Sequence, residues 1–325
     1  MKEKEFINII KNTLNSDYIG DDCAYLNDLG IVVSQDSLVE DVHFKRELIT
    51  PFQLGYKSVM VNISDICASG AKPAYLTISL SLPSDIESDF VKEFYQGAKS
   101  ACSFHPNSLP LGERVKIVGG DITSADKIYI SVCAIGDAKG RNISSRKNAK
   151  EGYKVVVSGM HGSSCAGLKL LLDGKNDSQK FIKAHIEPQA QVEFGNKAGL
   201  NIKSPYAMMD TSDGLMDALS AIADESGVLL EVDFDKISYD KDLAQFENWQ
   251  DMVLFGGEDY GLVAVVPQDF DFGTQIGVAK HGLGVDLIMK NCHPELVSGA
   301  YTGPTRKIHY SKQDVDNKIF NHFSQ

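Results

Sequence analysis

The stretch PFQLGYKSVMVNISDICASGAKPAYLTISLSL, residues 51–82, joins the two kinds of element on which the fold depends. Its apolar and polar pattern predicts a helix over residues 51–69 and a strand over residues 75–82. The same criteria predict two further helices and three further strands in the first half of the chain: helices over residues 5–14 and 89–102, and strands over residues 31–38, 115–118 and 128–135. The first half is therefore expected to be mixed α and β.

The second half begins with a predicted strand over residues 153–158, a turn containing Gly159 and Gly162, and a leucine-rich helix. A strand followed by a glycine-rich turn and a helix is a common phosphate-binding geometry. Further elements are predicted as helices over residues 189–198 and 214–225 and strands over residues 228–233 and 261–266. Strands and helices alternate in both halves, so the predicted fold class is α/β (α+β).

Residues 136–152 separate the halves and have the polar composition of a linker. A chain of 325 residues is also about long enough for two domains, each with its own core. We therefore predict two mixed α/β domains, an N-terminal domain over residues 1–145 and a C-terminal domain over residues 146–325.

Composition limits the partners and the location. A formal net charge of −12 disfavours nucleic acid or an anionic membrane as a partner, because both need a basic protein surface. The six cysteines form no C-x-x-C pair, the N-terminal MKEKEFINII lacks the apolar region of a signal peptide, and no apolar run is long enough to span a bilayer. We expect a cytoplasmic protein with reduced thiols.

Aspartate recurs beside small residues at predicted turns and strand ends, whereas a P-loop, a Rossmann glycine motif, H-E-x-x-H and G-x-S-x-G do not occur. Taken singly, each aspartate is explained by a turn or a helix cap. The six segments are Gly20-Asp21-Asp22, Ser34-Gln35-Asp36, Asn62-Ile63-Ser64-Asp65, Gly119-Gly120-Asp121, Asp210-Thr211-Ser212-Asp213-Gly214 and Gly256-Gly257-Glu258-Asp259-Tyr260.

Together these segments favour a magnesium site with several ions. Converging carboxylates repel one another unless a cation lies between them, and magnesium prefers oxygen ligands. Asp210 is expected at a strand end and Asp213 on the first turn of a helix, so that both can face one cleft. Magnesium held by carboxylates and phosphates indicates phosphoryl transfer, and this chemistry leaves the acceptor open.

In this order the motifs resemble those of the thiamine-monophosphate kinases, a family within the superfamily of aminoimidazole ribonucleotide synthetase and selenophosphate synthetase. The resemblance rests on IGDDCAYL (19–26), DSLVEDVHF (36–44), YKSVMVNISDICASGAKP (56–73), VGGDIT (118–123), MDTSDGL (209–215) and FGGEDY (255–260). It implies a kinase that transfers phosphate from ATP to thiamine monophosphate with several Mg²⁺ ions. It also implies an N-terminal ATP- and magnesium-binding domain whose sheet pairs in a homodimer.

The resemblance further implies three sets of site residues. The metal ligands are Asp22, Ser34, Gln35, Asp36, Asp65, Asp121, Asp210 and Asp213, of which Asp65, Asp121 and Asp213 are also the catalytic residues. The ATP contacts are Tyr95, Gly120, Asp121, Arg146 and Ser212. The contacts to the thiamine phosphate are His43, Glu258 and Phe320. By default, Arg146 is a solvated linker residue, His43 bonds the backbone and Phe320 packs in a terminal helix.

Four residues depart from the family pattern: Gln35, Ala190, Gln191 and Gly261. Gln35 replaces a threonine and can offer a metal only a carbonyl oxygen, from its backbone or its amide. Two alternative functions stay open, another ATP-using synthetase of the superfamily and a non-catalytic relative that binds nucleotide or metal. Every matched carboxylate is present, which favours the kinase.

Overall fold

The structure, a computed structural model, describes residues 2–103, 114–290 and 305–319. In the first half a five-stranded sheet has the order β1-β2-β5-β3-β4, in which only β3 and β4 pair in parallel. Its strands are β1 (Ala24–Leu26), β2 (Ile31–Val39), β3 (Lys72–Leu82), β4 (Lys116–Ser124) and β5 (Tyr129–Asp137). The helices of this half are α1 (Lys2–Leu14), α2 (Pro51–Ala68) and α3 (Ser88–Ser103).

The second half forms a seven-stranded sheet with the order β12-β11-β8-β10-β6-β9-β7. Its strands are β6 (Lys154–Val157), β7 (Ala207–Asp210), β8 (Leu229–Asp233), β9 (Leu262–Val266), β10 (Thr274–Lys280), β11 (Gly284–Met289) and β12 (Arg306–Tyr310). The helices are α4 (Ser163–Leu172), α5 (Gln179–Ile186), α6 (Val192–Asn201), α7 (Leu215–Ser226), α8 (Trp249–Phe255) and α9 (Lys312–Asp316).

Helix α2 contacts both halves of the chain. It begins at a capping box, in which the Thr50 hydroxyl accepts from the Gln53 backbone N–H and the Gln53 side chain accepts from the Thr50 N–H. Pro51 suits the first helical turn because a backbone donor there has no partner within the helix. Most of α2 is buried, and it packs against α3, the first sheet, α6 and β7. The side chains of α2 are thus held between the halves.

The apolar core of the first sheet also takes in side chains from the second half. Phe194, Tyr206 and Met208 belong to the same cluster as Leu76 and Val132. The two sheets use separate parts of the chain, strands up to Asp137 and strands from Lys154 onward. The division into domains at residues 145 and 146 stays a prediction.

The predicted mixed α/β class is confirmed, and most predicted helices and strands lie within a few residues of their observed positions. The strand predicted over residues 115–118 is confirmed but ends too early, because β4 begins at Lys116 and pairs with β3 as far as Ser124. Gly120 permits this pairing, since a Cβ there would lie 1.8 Å from the carbonyl oxygen of Ile78. In the described parts of the chain, no helix has the length and apolar character needed to cross a membrane.

The helix predicted over residues 189–198 is shifted in the structure. It begins at Val192. The side-chain amide of Gln191 donates to the Gln189 backbone carbonyl, and this contact belongs to the loop that precedes the helix. Helix α7 begins at Leu215, so Asp213 lies in the preceding turn and not on the first helical turn as predicted. Gly214 has a φ of +108°, a conformation outside the helical region.

Candidate active site

Four aspartates from four segments form an acidic cluster between the halves: Asp22 before β1, Asp36 on β2, Asp65 on α2 and Asp210 at the end of β7. Burial and the charges of the other three raise the pKa of Asp65 well above its usual range. Asp210 is 1% exposed, and burial raises its pKa as well. The mutual repulsion predicted from the sequence is therefore present in the structure.

Hydroxyl and amide groups orient these carboxylates. Ser34 donates its hydroxyl to Asp65 at 2.5 Å, and Ser64 donates to Asp210 at 2.7 Å. Ser212 donates to Asp210 through its hydroxyl at 2.9 Å and its backbone N–H at 3.3 Å. These two carboxylates accept hydrogen bonds that favour the charged form, which partly offsets the effect of burial on the pKa.

Arg146 holds a third carboxylate of the cluster. Its guanidinium lies 2.5 Å from Asp22, and its backbone N–H donates to Asp21 at 2.7 Å. Burial nevertheless raises the pKa of Asp22 to about 6, because the lowering by Arg146 is incomplete and Asp210 adds a further negative charge. Arg146 is thus an ion-paired residue and not a freely solvated linker arginine. Its predicted contact to ATP stays a prediction.

The donor set of the cluster consists of oxygen atoms, which fits a hard divalent cation such as magnesium. Within residues 2–103, 114–290 and 305–319, no three His, Cys, Asp or Glu side chains already stand in coordinating positions. Binding an ion would therefore draw the carboxylates closer together. Their raised pKa values give the physical reason, since a cation removes the repulsion between them.

Two predicted metal or nucleotide residues lie away from this cluster. The strand registers align Asp36 with Val132, Ile78 and Gly120, so Gly120 and the neighbouring Asp121 lie three strands across the sheet. At an inter-strand spacing of about 4.8 Å, this is a separation of roughly 14 Å. Asp121 is exposed on β4, which is an edge strand. A single chain does not bring Asp121 to Asp36.

Gln35 also points away from the cluster. Its amide donates to the Ser131 hydroxyl at 3.0 Å on the opposite face of β2 from Ser34. Side chains of a strand alternate between faces, so the amide oxygen is not aimed at the carboxylates. The amide oxygen of Gln35 is thus poorly placed for a metal at the cluster, and a ligand role for its backbone carbonyl stays a prediction.

A second polar network surrounds Glu258. One of its carboxylate oxygens lies 3.0 Å from the Lys57 ammonium, and the other lies 3.3 Å from Nδ1 of His185. Burial would raise the pKa of Glu258, but the neighbouring Lys57 ammonium outweighs it, and the pKa lies below its usual range. Burial lowers the pKa of His185 to about 4, so this ring is neutral near pH 7 and does not act on Glu258 as a full charge. Glu258 therefore presents a charged carboxylate.

The other predicted acceptor and nucleotide residues have separate environments. His43 follows β2 and its Nδ1 accepts from the Val39 N–H at 2.9 Å, which confirms the backbone bond considered as its default. Tyr95 lies half-buried on α3, edge-on to Phe94. Phe320 lies outside the described residues, so its predicted contact to thiamine stays a prediction.

Sequence reasoning missed Lys57, His185 and Ser64 as parts of the site. The signal for Lys57 was a lysine inside the otherwise apolar and small-residue run YKSVMVNIS of a predicted helix. A cation at a buried helix position needs an anionic partner. No comparable pattern indicated His185, because helix α5 itself was not predicted.

Comparisons with known proteins give matches over most of the chain. Residues 20–138 match the family model for AIR synthase related protein, N-terminal domain. The chain is 36% identical over 304 residues to the thiamine-monophosphate kinase of Aquifex aeolicus (strain VF5), covering 89% of this chain and 95% of the relative. It is 36% identical over 262 residues to the thiamine-monophosphate kinase of Bacillus subtilis (strain 168), covering 77% and 78%.

A solved structure shows the same likeness in three dimensions. AaThiL complexed with AMPPCP and TMP matches with a TM-score of 0.80 and 34% identity, covering 88% of this chain and 94% of that one. The sequence relatives and the fold thus agree over most of the chain. The chain belongs to the thiamine-monophosphate kinase family.

Proposed function

We propose that this chain transfers the γ-phosphoryl group of ATP to thiamine monophosphate, forming ADP and thiamine diphosphate. The observation that carries the proposal is the acidic cluster of Asp22, Asp36, Asp65 and Asp210, which both halves of the chain build around α2. Support comes from the family and from the likeness to AaThiL, whose structure holds AMPPCP, an ATP analogue, together with TMP.

In the proposed reaction, an oxygen of the acceptor phosphate attacks the γ-phosphorus of ATP, and the bond from that phosphorus to the bridging β–γ oxygen breaks. The leaving group is ADP, and the new bond is the phosphoanhydride of thiamine diphosphate. Both reactants are strongly anionic, so positioning and charge neutralisation supply most of the rate enhancement. Bound magnesium ions would supply that neutralising charge.

We assign the chain's own residues as follows. Asp22, Asp36, Asp65 and Asp210 would hold the metal, with Ser34, Gln35 and Asp213 completing the set, and Ser34, Ser64 and Ser212 orient those carboxylates. Arg146, Tyr95, Gly120 and Ser212 would contact ATP. His43 and Glu258 would contact the acceptor.

We further propose that the active molecule is a homodimer. Strand β4 is an edge with no strand on its outer side among the described residues, and it exposes Val118 and Ile122. Tyr75 on β3 and Tyr129 on β5 are exposed as well. An apolar edge and face of this kind are typical of a surface that pairs with another chain. Pairing of β4 with another chain would allow Asp121 of one subunit to face the acidic cluster of the other.

The proposed function is tested by measuring ADP formation with ATP and magnesium, in the presence and absence of thiamine monophosphate. We expect ADP to form only when the acceptor is added, and a chelator to stop it while leaving the circular dichroism spectrum unchanged. A high rate of ADP formation that ignores the acceptor would indicate an ATPase. No ADP under any of these conditions would favour a non-catalytic binding protein.

A further inference from the structure

Lys57 is a cation in the interior of the protein. It lies on α2 and is 1% exposed. A buried ammonium group is strongly unfavourable unless an anion and hydrogen-bond acceptors compensate it. The partner of Lys57 is Glu258, at 3.0 Å, on the Gly-Gly-Glu-Asp-Tyr segment that follows α8. This ion pair joins the helix of the first half to a loop of the second half.

Further contacts fix Glu258 in one place. Its second carboxylate oxygen lies 3.3 Å from His185, which in turn lies 3.0 Å from the Ser164 hydroxyl. The backbone N–H of Glu258 donates to the Ser212 carbonyl at 2.6 Å. Its φ is +63°, in the left-handed region that non-glycine residues rarely adopt. Such a conformation persists where the surroundings hold it, and it is common at functional sites.

The two partners differ in their access to solvent. The Glu258 side chain is 26% exposed, whereas Lys57 has almost no exposed surface. A ligand in the cleft can therefore reach Glu258 but not Lys57. A buried ion pair contributes little net stability compared with apolar side chains of the same volume, so stability alone does not account for a lysine at this position.

The charge of Glu258 suits the acceptor chemically. Thiamine carries a permanently cationic thiazolium ring, and a fixed carboxylate near that ring offers an attraction that does not depend on protonation. The Gly-Gly-Glu-Asp-Tyr segment also reaches the acidic cluster, because Ser212 bonds both Glu258 and Asp210. Moving Glu258 would thus alter the site where the acceptor and the metal cluster meet.

We infer that Lys57 is a positioning residue that holds the Glu258 carboxylate, charged and in place, against the thiazolium end of the acceptor without touching the acceptor itself. This inference rests on the proposed kinase function. His185 supports the same carboxylate from its other oxygen. The role is one of acceptor affinity, because the ion pair acts on the cationic ring of the acceptor and not on its phosphate.

The test compares Lys57→Met with Glu258→Gln and with the double variant, using steady-state kinetics with thiamine monophosphate and with ATP. We expect Lys57→Met to raise the KM for thiamine monophosphate by about tenfold or more, because Glu258 would no longer be held in place and a loss of about 1.4 kcal/mol in acceptor binding is a tenfold change. The KM for ATP should change by less than about threefold, because the lost contact bears on one ligand only. Lys99→Met, at an exposed position of α3, is the matched control and should keep both values.

The double variant separates positioning from folding. Lys57→Met leaves Glu258 with one basic partner fewer and can impair folding, whereas Lys57→Met with Glu258→Gln removes both charges. We expect the double variant to fold and to show the acceptor KM of Glu258→Gln alone, because Lys57 acts through Glu258 and the two effects do not add. Thermal melting of each variant without ligand checks that the comparison is between folded proteins.

The outcomes are distinct. An active wild-type enzyme whose acceptor KM is unchanged by Lys57→Met would overturn the inference and leave the proposed function intact. Independent, additive effects of the two substitutions would also overturn it, because Lys57 would then act without Glu258. Equal increases in both KM values would overturn it too, since the ion pair would then have only a general structural role. Absence of any acceptor-dependent ADP formation in the wild type would overturn the proposed function itself.

Discussion

The charge of Asp65 is unfavourable where it lies, because the carboxylate is buried among other carboxylates. A cation bound there would compensate that charge. Burial and three neighbouring carboxylates raise its pKa, and the hydrogen bond from the Ser34 hydroxyl only partly opposes them. A buried carboxylate of this kind stays ionised when a bound cation neutralises its charge. We therefore expect this residue to lower the stability of the metal-free protein and to support its activity.

Replacing Asp65 with Asn keeps the shape of the side chain and removes its charge. We expect turnover at saturating magnesium to fall by at least about 100-fold, since charge stabilisation through a metal is worth several kcal/mol. The melting temperature without ligand should stay the same or rise, because one repelling charge is gone. Asp269→Asn, at an exposed turn, is the control. Wild-type turnover by Asp65→Asn would remove this residue from the site.

His161 gives a second prediction for a single residue. It is 1% exposed, and neither ring nitrogen has a hydrogen-bond partner among the described residues. Burial lowers its pKa from 6.5 to about 4 in the folded protein. Between these two pH values the unfolded chain therefore binds more protons, so His161 makes the protein less stable as the pH falls through this range.

We expect His161→Leu to remove this loss. The free energy of unfolding of the wild type should fall by roughly 3 kcal/mol more than that of the variant between about pH 6.5 and 4, at about 1.4 kcal/mol per pKa unit. Denaturant titrations at several pH values measure the free energy of unfolding of both proteins. The pKa shifts of all other groups contribute equally to both and cancel in the difference. Parallel pH profiles for the two proteins would show that His161 is protonated in the folded state or has a partner there.

At the scale of single residues, the sequence identified the carboxylates but not what holds them. Asp22, Asp36, Asp65 and Asp210 stood out because aspartate beside small residues recurs at strand ends. Lys57 and His185 did not, because their importance depends on burial and on contact with Glu258, which is distant from both in the chain. Spacing within a motif carries no information about such contacts.

At the scale of elements, the site depends on how closely α2 and α3 approach. A Cβ on Gly97 would lie 1.8 Å from the Phe52 carbonyl oxygen, and a Cβ on Gly55 would lie 1.9 Å from that of Phe94. The two helices therefore touch backbone to backbone at paired glycines. Since α2 carries both Lys57 and Asp65, its position sets the geometry of the acidic cluster and of the Glu258 network.

Gly97→Ala should force the helices apart. We expect the free energy of unfolding to fall by about 2 kcal/mol or more, because the backbone must move to admit the methyl group. Turnover should fall as well, since α2 would shift relative to β7. Gln96→Ala, at the exposed neighbouring position, should change stability by less than about 0.5 kcal/mol. Unchanged stability of Gly97→Ala would contradict the observed packing.

The elements that the sequence predicted are those with a strong pattern, and α2 is the best example. Its apolar run, its proline in the first turn and its capping residues all agree. Helices α5, α8 and α9 and strands β10 to β12 were missed, because each has at most eight residues and so short a segment gives only a weak pattern. These elements owe their formation to pairing and packing within the second half, which local pattern does not record.

At the scale of the whole molecule, the exposed edge of the first sheet predicts assembly. We expect a dimer whose dissociation depends on protein concentration, measured by sedimentation velocity. Val118→Lys, on β4, should weaken it, because charge on an edge strand opposes pairing with another chain. Lys139→Glu, in the turn after β5, changes charge without altering that strand and serves as control. A monomer at every concentration would contradict the proposed assembly.

The most direct measurement follows the fate of the phosphoryl group itself. ATP labelled at its γ-phosphate is incubated with the enzyme, magnesium and either thiamine monophosphate or free thiamine, and the products are separated by chromatography. For a thiamine-monophosphate kinase we expect label in thiamine diphosphate, in a one-to-one ratio with ADP, and no labelled product from free thiamine. Equal labelling of free thiamine, or ADP formation with all the label released as inorganic phosphate, would contradict the proposed function.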